Sequence, residues 1–177
     1  MILIVGAAGC VSLTNPFVHL KPDYTALPAD ALRQVATEIE KAVQKGEREP
    51  KIADREGIVV NDPAVMQAIR MRAARTTLVN ELLDAGHVIE ARNGTVTIVR
   101  NKDYKKATTG KQRDRNALVV MNENNDRWTL YEGILKASHF QRRSLSAIQA
   151  SFYEAHVASM APGQKYEDAN GQTVVKK

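Results

Sequence analysis

Residues 117–135 read ALVVMNENNDRWTLYEGIL, and the spacing of their apolar side chains predicts a long helix. Ala117, Met121, Trp128, Tyr131 and Leu135 lie three, four or seven positions apart, which places them on one helical face. We expect this face, with Trp128, to be buried in the core. The intervening polar residues should then be exposed; they are Asn122, Glu123, Asn125, Asp126 and Arg127.

A second helix is predicted to follow the polar segment Ser138 to Arg143. Ser146 and Gln149 have the spacing of a capping box, in which each side chain bonds a backbone N–H at the start of the helix. Pro162-Gly163 ends this helix, because proline lacks the backbone donor that the next turn needs. Its apolar face consists of Leu145, Ile148, Phe152 and Ala155.

Two further helices are predicted upstream. One spans residues 29–45 and ends at Gly46. The other begins at Asp62-Pro63, an N-cap followed by proline at the first helical position, and ends near Asp84. The helix that begins at Asp62-Pro63 should carry three arginines on or near its outward face, either as a solvated surface or as anion contacts. These are Arg70, Arg72 and Arg75.

Two Asn-Gly pairs predict β-hairpins, since both central residues of a two-residue turn must adopt positive φ. A two-residue turn at Asn93-Gly94 places Ala91 opposite Val96 and Ile89 opposite Ile98. The same turn at Asn170-Gly171 places Tyr166 opposite Val175. The chain is therefore predicted to be α+β: one mainly helical small domain over residues 29–177, with one or two short β-hairpins, preceded by an extended N-terminal tether.

A basic segment, Asn101 to Arg115, is predicted to form a mobile loop between the first hairpin and the long helix. The net charge of +5 and the pI near 9.4 favour contact with an anionic partner, either nucleic acid or a lipid headgroup surface. The candidate anion contacts are Lys102, Lys105, Lys106, Lys111, Arg113 and Arg115.

The N-terminus reads MILIVGAAGC, and small residues before Cys10 are typical of the end of a bacterial lipoprotein signal. Residues 1–9 would be a truncated signal, because they lack a basic start and a full apolar region. Cys10 would carry the lipid, and Val11 after it favours the outer membrane. Residues 10–28, with three prolines, would be the tether. The alternative is an unmodified cysteine in a hydrophobic first strand.

The segment Pro63 to Lys177 resembles the YdbL-like family of bacterial envelope proteins. The resemblance lies in Leu82-Leu83-x-x-Gly86-x-Val88-x-Glu90-x-x-x-Gly94, in Asn116, Arg127 and Tyr131, and in the ending from Ala161 to Gly171. It implies a small periplasmic protein or lipoprotein associated with AsmA-like proteins, which are implicated in phospholipid transport. It implies no catalytic residue.

The sequence offers no recognisable catalytic or metal-binding motif. Its four histidines are scattered, it has one cysteine, and it contains no His-Glu-x-x-His pair and no phosphate-binding glycine loop. We therefore expect no enzyme, no cofactor and no metal.

The preferred hypothesis is a membrane-anchored, periplasm-facing accessory protein that binds another envelope protein, such as an AsmA-like protein, through the strand edges of its hairpins. The alternative is a cytoplasmic nucleic-acid-binding protein that uses the basic loop 102–115. The candidate partner-binding residues are Val88, Glu90, Val96, Ile98, Tyr166 and Val175.

Overall fold

The computed structural model describes residues 27–177. The predicted signal, Cys10 and all but the last two residues of the predicted tether lie outside the described residues. Of those two, Leu27 is buried in the core and Pro28 directly precedes the first helix.

The predicted fold class is confirmed: within residues 27–177 the chain is mainly helical with one small sheet. None of these helices has both the length and the apolar character that a membrane crossing requires. The elements in chain order are α1 (Ala29–Gln44), α2 (Pro63–Asp84), β1 (Val88–Glu90), β2 (Val96–Ile98), α3 (Lys102–Ala107), α4 (Gly110–Ala137), a 3-10 turn (Arg142–Ser144), α5 (Leu145–Ser159), β3 (Lys165–Glu167) and β4 (Thr173–Val175).

Helix α2 starts as predicted. The Asp62 carboxylate accepts hydrogen bonds from the backbone amides of Ala64 and Val65, and Pro63 occupies the first helical position. The helix then packs along α4, where Gly133 brings the α4 backbone close to Val65.

The prediction of a mobile loop from Asn101 to Arg115 is wrong, because most of this segment is helical. The Asn101 side chain accepts from the amide of Tyr104 and caps α3. Thr109 and Gln112 then form a reciprocal capping box that starts α4. Polar residues that suggest a loop in the sequence are therefore caps of two consecutive helices.

The predicted capping box at Ser146 and Gln149 is wrong. Helix α5 begins at Leu145 directly after the 3-10 turn, and Ser144 is its N-cap residue without a side-chain cap. The Ser146 hydroxyl instead donates to the carbonyl of Arg143.

The two hairpins join into one four-stranded sheet of order β2-β1-β3-β4. Strands β1 and β3 pair in parallel at Glu90 and Tyr166, whereas the two hairpins themselves are antiparallel. The interior strands are therefore β1 and β3, and the edges are β2 and β4.

Both predicted hairpin registers are wrong by one residue. Glu90 lies opposite Val96, and Val88 lies opposite Ile98. In the second hairpin Tyr166 lies opposite Val174 rather than Val175. Each loop has three residues rather than two. The last backbone pair before the loop is Ala91 with Thr95 in the first hairpin and Asp168 with Gln172 in the second.

The interior contains two separate apolar clusters. The larger one is built from α1, the N-terminal half of α2, the C-terminal half of α4, and α5. The smaller one joins the C-terminal half of α2, the sheet and the N-terminal half of α4. The middles of α2 and α4 pass between the two clusters, and that region contains the site described next.

Candidate functional site

The buried face of α4 differs from the predicted one. Glu123 and Arg127, expected in solvent, are buried, whereas Met121 and Trp128, expected in the core, are exposed. Ala117 is exposed as well, while Tyr131 and Leu135 are buried as predicted.

The arginines of α2 differ from the prediction in the same way. Arg72 is completely buried, and Arg75 is half-buried and bonded to α4. Arg70 alone is on the surface, where it forms a bidentate contact with Glu49. The two buried arginines, Arg72 and Arg127, organise a cluster of charges between the two apolar clusters.

Arg72 uses its whole guanidinium group within the protein. Its Nη1 and Nη2 donate to the two carboxylate oxygens of Glu40 on α1, at 2.6 and 2.9 Å. Its Nε donates to Oε1 of Glu123 on α4 at 2.9 Å. This side chain therefore ties α1 and α4 to α2.

Arg127 repeats this arrangement toward the sheet. Its Nη1 and Nη2 donate to the two carboxylate oxygens of Glu90 on β1, at 2.6 and 2.8 Å. Its Nε donates to Glu123 Oε1 at 2.8 Å, so this single oxygen accepts from both arginines. Glu123 is therefore the centre of the cluster.

His156 of α5 lies between the two arginine–glutamate pairs. Its Nε2 is 3.0 Å from Glu40 Oε2 and 3.2 Å from Arg72 Nη2. Its Nδ1 is 3.1 Å from Arg127 Nη1 and 3.6 Å from Glu90 Oε2. Arg75 adds a third guanidinium group, since its Nη1 donates to Oε2 of Glu123 at 3.1 Å.

The cluster holds its carboxylates in the charged form. Burial alone would raise the pKa of Glu40, but the charges of Arg72 and His156 outweigh it and hold that pKa well below its usual range. For Glu123, burial is likewise outweighed by the two arginines, and its pKa falls to about 2. Burial would also raise the pKa of Glu90, but the charges of Arg127 and His156 outweigh this effect and lower that pKa.

A small cavity of about 150 Å³ adjoins the cluster on the side of α2 and the end of α5. The polar side chains at its rim bond to one another: Gln164 donates to Asp84, and Asn80 donates to Gln44. In the part of the chain that the structure describes, no group of three or more His, Cys, Asp or Glu side chains is placed to hold a metal ion. The cluster connects α1, α2, α4, α5 and β1 through charge-assisted hydrogen bonds, which is a structural role.

The predicted partner-binding residues do not form one surface. The prediction that Val88 and Glu90 lie on a strand edge is wrong, because β1 is an interior strand and both side chains are buried. Tyr166 is half-buried in the other interior strand, β3.

Val96 and Ile98 lie on an edge strand, but that edge is covered at Val96. The side-chain amide of Asn124 on α4 donates to the carbonyl of Val96 and accepts from its N–H, at 2.9 and 2.8 Å. Val96 is also buried, so its prediction as a contact residue is wrong. Ile98 is half-buried beside α4.

Val175 on the other edge strand, β4, is 53% exposed. In the β3–β4 pair, Lys176 donates to the carbonyl of Gln164, and Asp168 donates to that of Gln172. Because the backbone groups of an antiparallel strand alternate in direction, those of Thr173 and Val175 face away from β3. Strand β4 thus presents an open edge.

The predicted anion contacts lie close together in the chain, on α3 and the first turns of α4. Five of these six side chains are exposed. Arg113 is half-buried and donates to the carbonyl of Thr108 at 2.5 Å, so it acts as a link between α3 and α4.

Sequence reasoning missed the charge cluster, although one signal was present. Glu123, Arg127, Leu130 and Ile134 follow one another at intervals of four, three and four, so the charged pair is in phase with buried apolar residues. An i, i+4 ion pair in phase with an apolar stripe indicates charges that face the core.

Comparison of the chain with protein-family models, with curated proteins and with solved structures gives no match.

Proposed function

We propose that this chain is a non-enzymatic, periplasm-facing lipoprotein that serves as a binding protein in a cell-envelope assembly. In this proposal its partner is an AsmA-like, phospholipid-transport-associated protein, as the YdbL-like resemblance implies. The chain would capture an extended segment of that partner by strand addition at β4. The open edge of β4 is the observation that carries the proposal.

Strand addition needs outward-facing N–H and C=O groups and room for alternate side chains of the ligand. Strand β4 offers both, because the backbone groups of Thr173 and Val175 face outward and their side chains are exposed. The other edge, β2, offers less, since Asn124 occupies both backbone groups of Val96.

The compartment is supported by sequence. The segment Ala7 to Cys10 is typical of a lipidation site, and Val11 favours retention at the outer membrane. A diacylated and N-acylated Cys10 would provide a stable anchor, whereas a single chain gives only marginal binding.

A non-enzymatic role is supported by the charge cluster. The guanidinium groups of Arg72 and Arg127 are saturated by three glutamates, and the histidine lies between them. Such groups hold helices together, because all three nitrogens of each guanidinium donate to carboxylates of the protein itself.

The edge can be tested with a photo-crosslinking amino acid at Thr173, in the chain expressed from its native locus. We expect a crosslink to one envelope protein, and its loss when Val175→Pro is added. Proline removes the outward N–H of Val175 but leaves the β3–β4 pairing intact, because that N–H does not bond β3. The matched control is Val175→Thr, which keeps the N–H and should keep the crosslink.

Crosslinking that persists unchanged in the folded Val175→Pro chain would overturn the proposal that the partner adds a strand at β4. The anchor is tested separately by intact mass and membrane fractionation. A mature species that begins at Cys10 and carries about three acyl chains is expected. An unmodified chain that retains Met1 would contradict the compartment and the partner class together.

A further inference from the structure

The net charge of the chain is concentrated in one short segment. Residues 100–115 contain seven basic and two acidic residues, and the rest of the chain contains 18 of each. The whole excess of +5 therefore belongs to the residues that follow β2, to α3 and to the first turns of α4. The remainder of the molecule is balanced.

Exposed apolar side chains lie beside these charges. Leu118 and Met121 on α4 are 57% and 51% exposed, which makes them two of the five large apolar side chains exposed in residues 27–177. Lys111, Arg115 and Leu118 follow one another at intervals of four and three, so they form one line along the outside of α4. Met121 lies one turn beyond Leu118.

Met121 also borders an open groove of about 400 Å³ between α4 and β2. Arg100 lines this groove together with Ile98 and Ala117. We define the basic–apolar face as Arg100, Lys111, Arg115, Leu118 and Met121. On this face, the two apolar side chains lie beside cations, because Arg115 precedes Leu118 by one helical turn and Arg100 lines the same groove as Met121.

We propose that the basic–apolar face binds the surface of an anionic phospholipid bilayer. The arginines and the lysine contact lipid phosphates, while Leu118 and Met121 enter the boundary between headgroups and acyl chains. This contact does not depend on the partner captured at β4 or on acylation of Cys10.

The apolar residues favour a bilayer over a nucleic acid. Cations alone fit either polyanion, but exposed leucine and methionine are stabilised only when they leave water for an apolar medium. A nucleic-acid surface would instead be matched by aromatic side chains that stack on bases. The centre of the basic–apolar face is aliphatic, and the exposed aromatic side chain of the same stripe, Trp128, lies two turns beyond Met121, away from Lys111 and Arg115.

The test uses the full chain with Cys10→Ser, which cannot be acylated, and co-sedimentation with vesicles. We expect binding to vesicles of phosphatidylglycerol mixed with phosphatidylcholine, and none to phosphatidylcholine alone. Binding should fall sharply from 0.05 to about 0.5 M salt, because screening shortens the range of the attraction. Equal binding to both vesicle types would overturn the proposal.

Two pairs of variants separate the face from general charge and stickiness. Lys111→Glu with Arg115→Glu should weaken the vesicle partition by about thirtyfold or more. The control, Lys41→Glu with Lys51→Glu, makes the same change in net charge on exposed lysines elsewhere and should weaken it far less. Equal losses would show that the face is not the contact.

Insertion is tested by moving the single tryptophan of the chain to the face, in the variant Leu118→Trp with Trp128→Phe. Its fluorescence should be quenched by phosphatidylglycerol brominated in the upper acyl chain. Absence of quenching in the sedimented chain would overturn insertion. Salt-sensitive binding to an oligonucleotide without binding to vesicles would assign the face to nucleic acid instead.

Discussion

Arg72 and Arg127 determine how the interior of this protein tolerates charge. Removing each ion from water costs several kcal/mol, which is recovered only when its hydrogen-bonding groups are satisfied in good geometry. Here each guanidinium makes a bidentate contact with one glutamate and a third contact with Glu123. The intact cluster therefore adds little net stability, but the loss of one member leaves a buried charge unpaired.

The substitution Glu90→Gln should lower the free energy of unfolding by about 3–5 kcal/mol, because it removes the carboxylate charge that pairs with the buried guanidinium of Arg127. Urea unfolding followed by circular dichroism at neutral pH measures this loss.

The matched control is Glu49→Gln, which removes the same charge from an exposed arginine pair with Arg70. It should leave the unfolding free energy nearly unchanged, because exposed ion pairs contribute little. Similar losses of unfolding free energy in the two variants would contradict the burial of the Glu90–Arg127 pair.

At the scale of single residues, the sequence predicts the Asp62 cap correctly, but it misplaces the cap of α5, misses the caps Asn101 and Thr109, and places the buried charges in solvent. The role of Asp62 follows from local geometry and could be predicted. Burial of Arg72 depends on partners 32 and 51 positions away, which no local pattern contains. Charged side chains are normally placed in solvent unless a partner is known, so these were assigned to the wrong face.

Among the elements, the two hairpins deviate from prediction in the same way. Each closes with a three-residue loop that ends in a glycine with positive φ, +80° at Gly94 and +74° at Gly171. A type I turn followed by such a residue is the common three-residue hairpin, and Asn93 supports it by accepting from the amide of Thr95. The extra residue shifts the pairing by one and exchanges the faces.

The substitution Gly94→Ala should destabilise the protein more than Gly171→Ala. Both place a side chain at positive φ, which costs about 1–2 kcal/mol. At Gly94 the new methyl group would also lie 3.0 Å from Tyr131 Oη and 3.3 Å from the carbonyl of Gln149, whereas nothing lies within 4 Å at Gly171. Overpacking adds about 1–3 kcal/mol.

Thermal unfolding of these two variants isolates the packing contribution, because the turn conformation is the same in both. If Gly171→Ala lowers the melting temperature as much as Gly94→Ala, the first hairpin is not packed against α4 and α5 as described.

The contact between α2 and α4 depends on Gly133. A methyl group there would lie 2.7 Å from Cγ2 of Val65, a β-branched side chain with little freedom to move. Alanine favours a helix over glycine by about 1 kcal/mol, but overpacking costs about 1–3 kcal/mol. We therefore expect Gly133→Ala to destabilise the protein, as measured by urea unfolding.

A double-mutant cycle with Val65→Ala provides the control for this contact. The double variant should lose less stability than the two single losses added together, because the new methyl group fills the space that valine leaves. An increase in stability from Gly133→Ala alone would show that the helices are farther apart.

For α4, the sequence predicts the helix but not which face is buried. One stripe contains Met121 and Trp128, and another contains Val120, Leu130 and Ile134, so the helix is apolar on two sides. The buried stripe is the one interrupted by Glu123 and Arg127. Amphipathicity alone selects the wrong face whenever charges are paired inside.

In the molecule as a whole, the charge cluster replaces apolar packing between the two hydrophobic clusters. Helices α2 and α4 belong to both clusters, and they are joined at the level of Arg72 and Glu123 by ion pairs. Cohesion between the two halves therefore depends on the ionisation of Glu40, Glu90 and Glu123. The halves should respond together to acid.

The free energy of unfolding should fall steadily as the pH drops from about 5 to about 2. The folded pKa values of Glu40, Glu90 and Glu123 all lie below the value of about 4.3 for an unfolded glutamate. The unfolded chain therefore binds more protons in this range. Stability from these groups is fully present above the unfolded pKa and is lost as the pH falls through the folded values.

Urea unfolding at pH 7, 5, 4 and 3 measures this dependence, and Glu90→Gln provides the comparison. Each carboxylate that takes up a proton on unfolding contributes about 1.4 kcal/mol per pH unit between its two pKa values. The variant lacks one such group, so its stability should depend less steeply on pH below 4 even though it is lower at pH 7. Equal slopes in the two proteins would mean that Glu90 is not held in its charged form by Arg127.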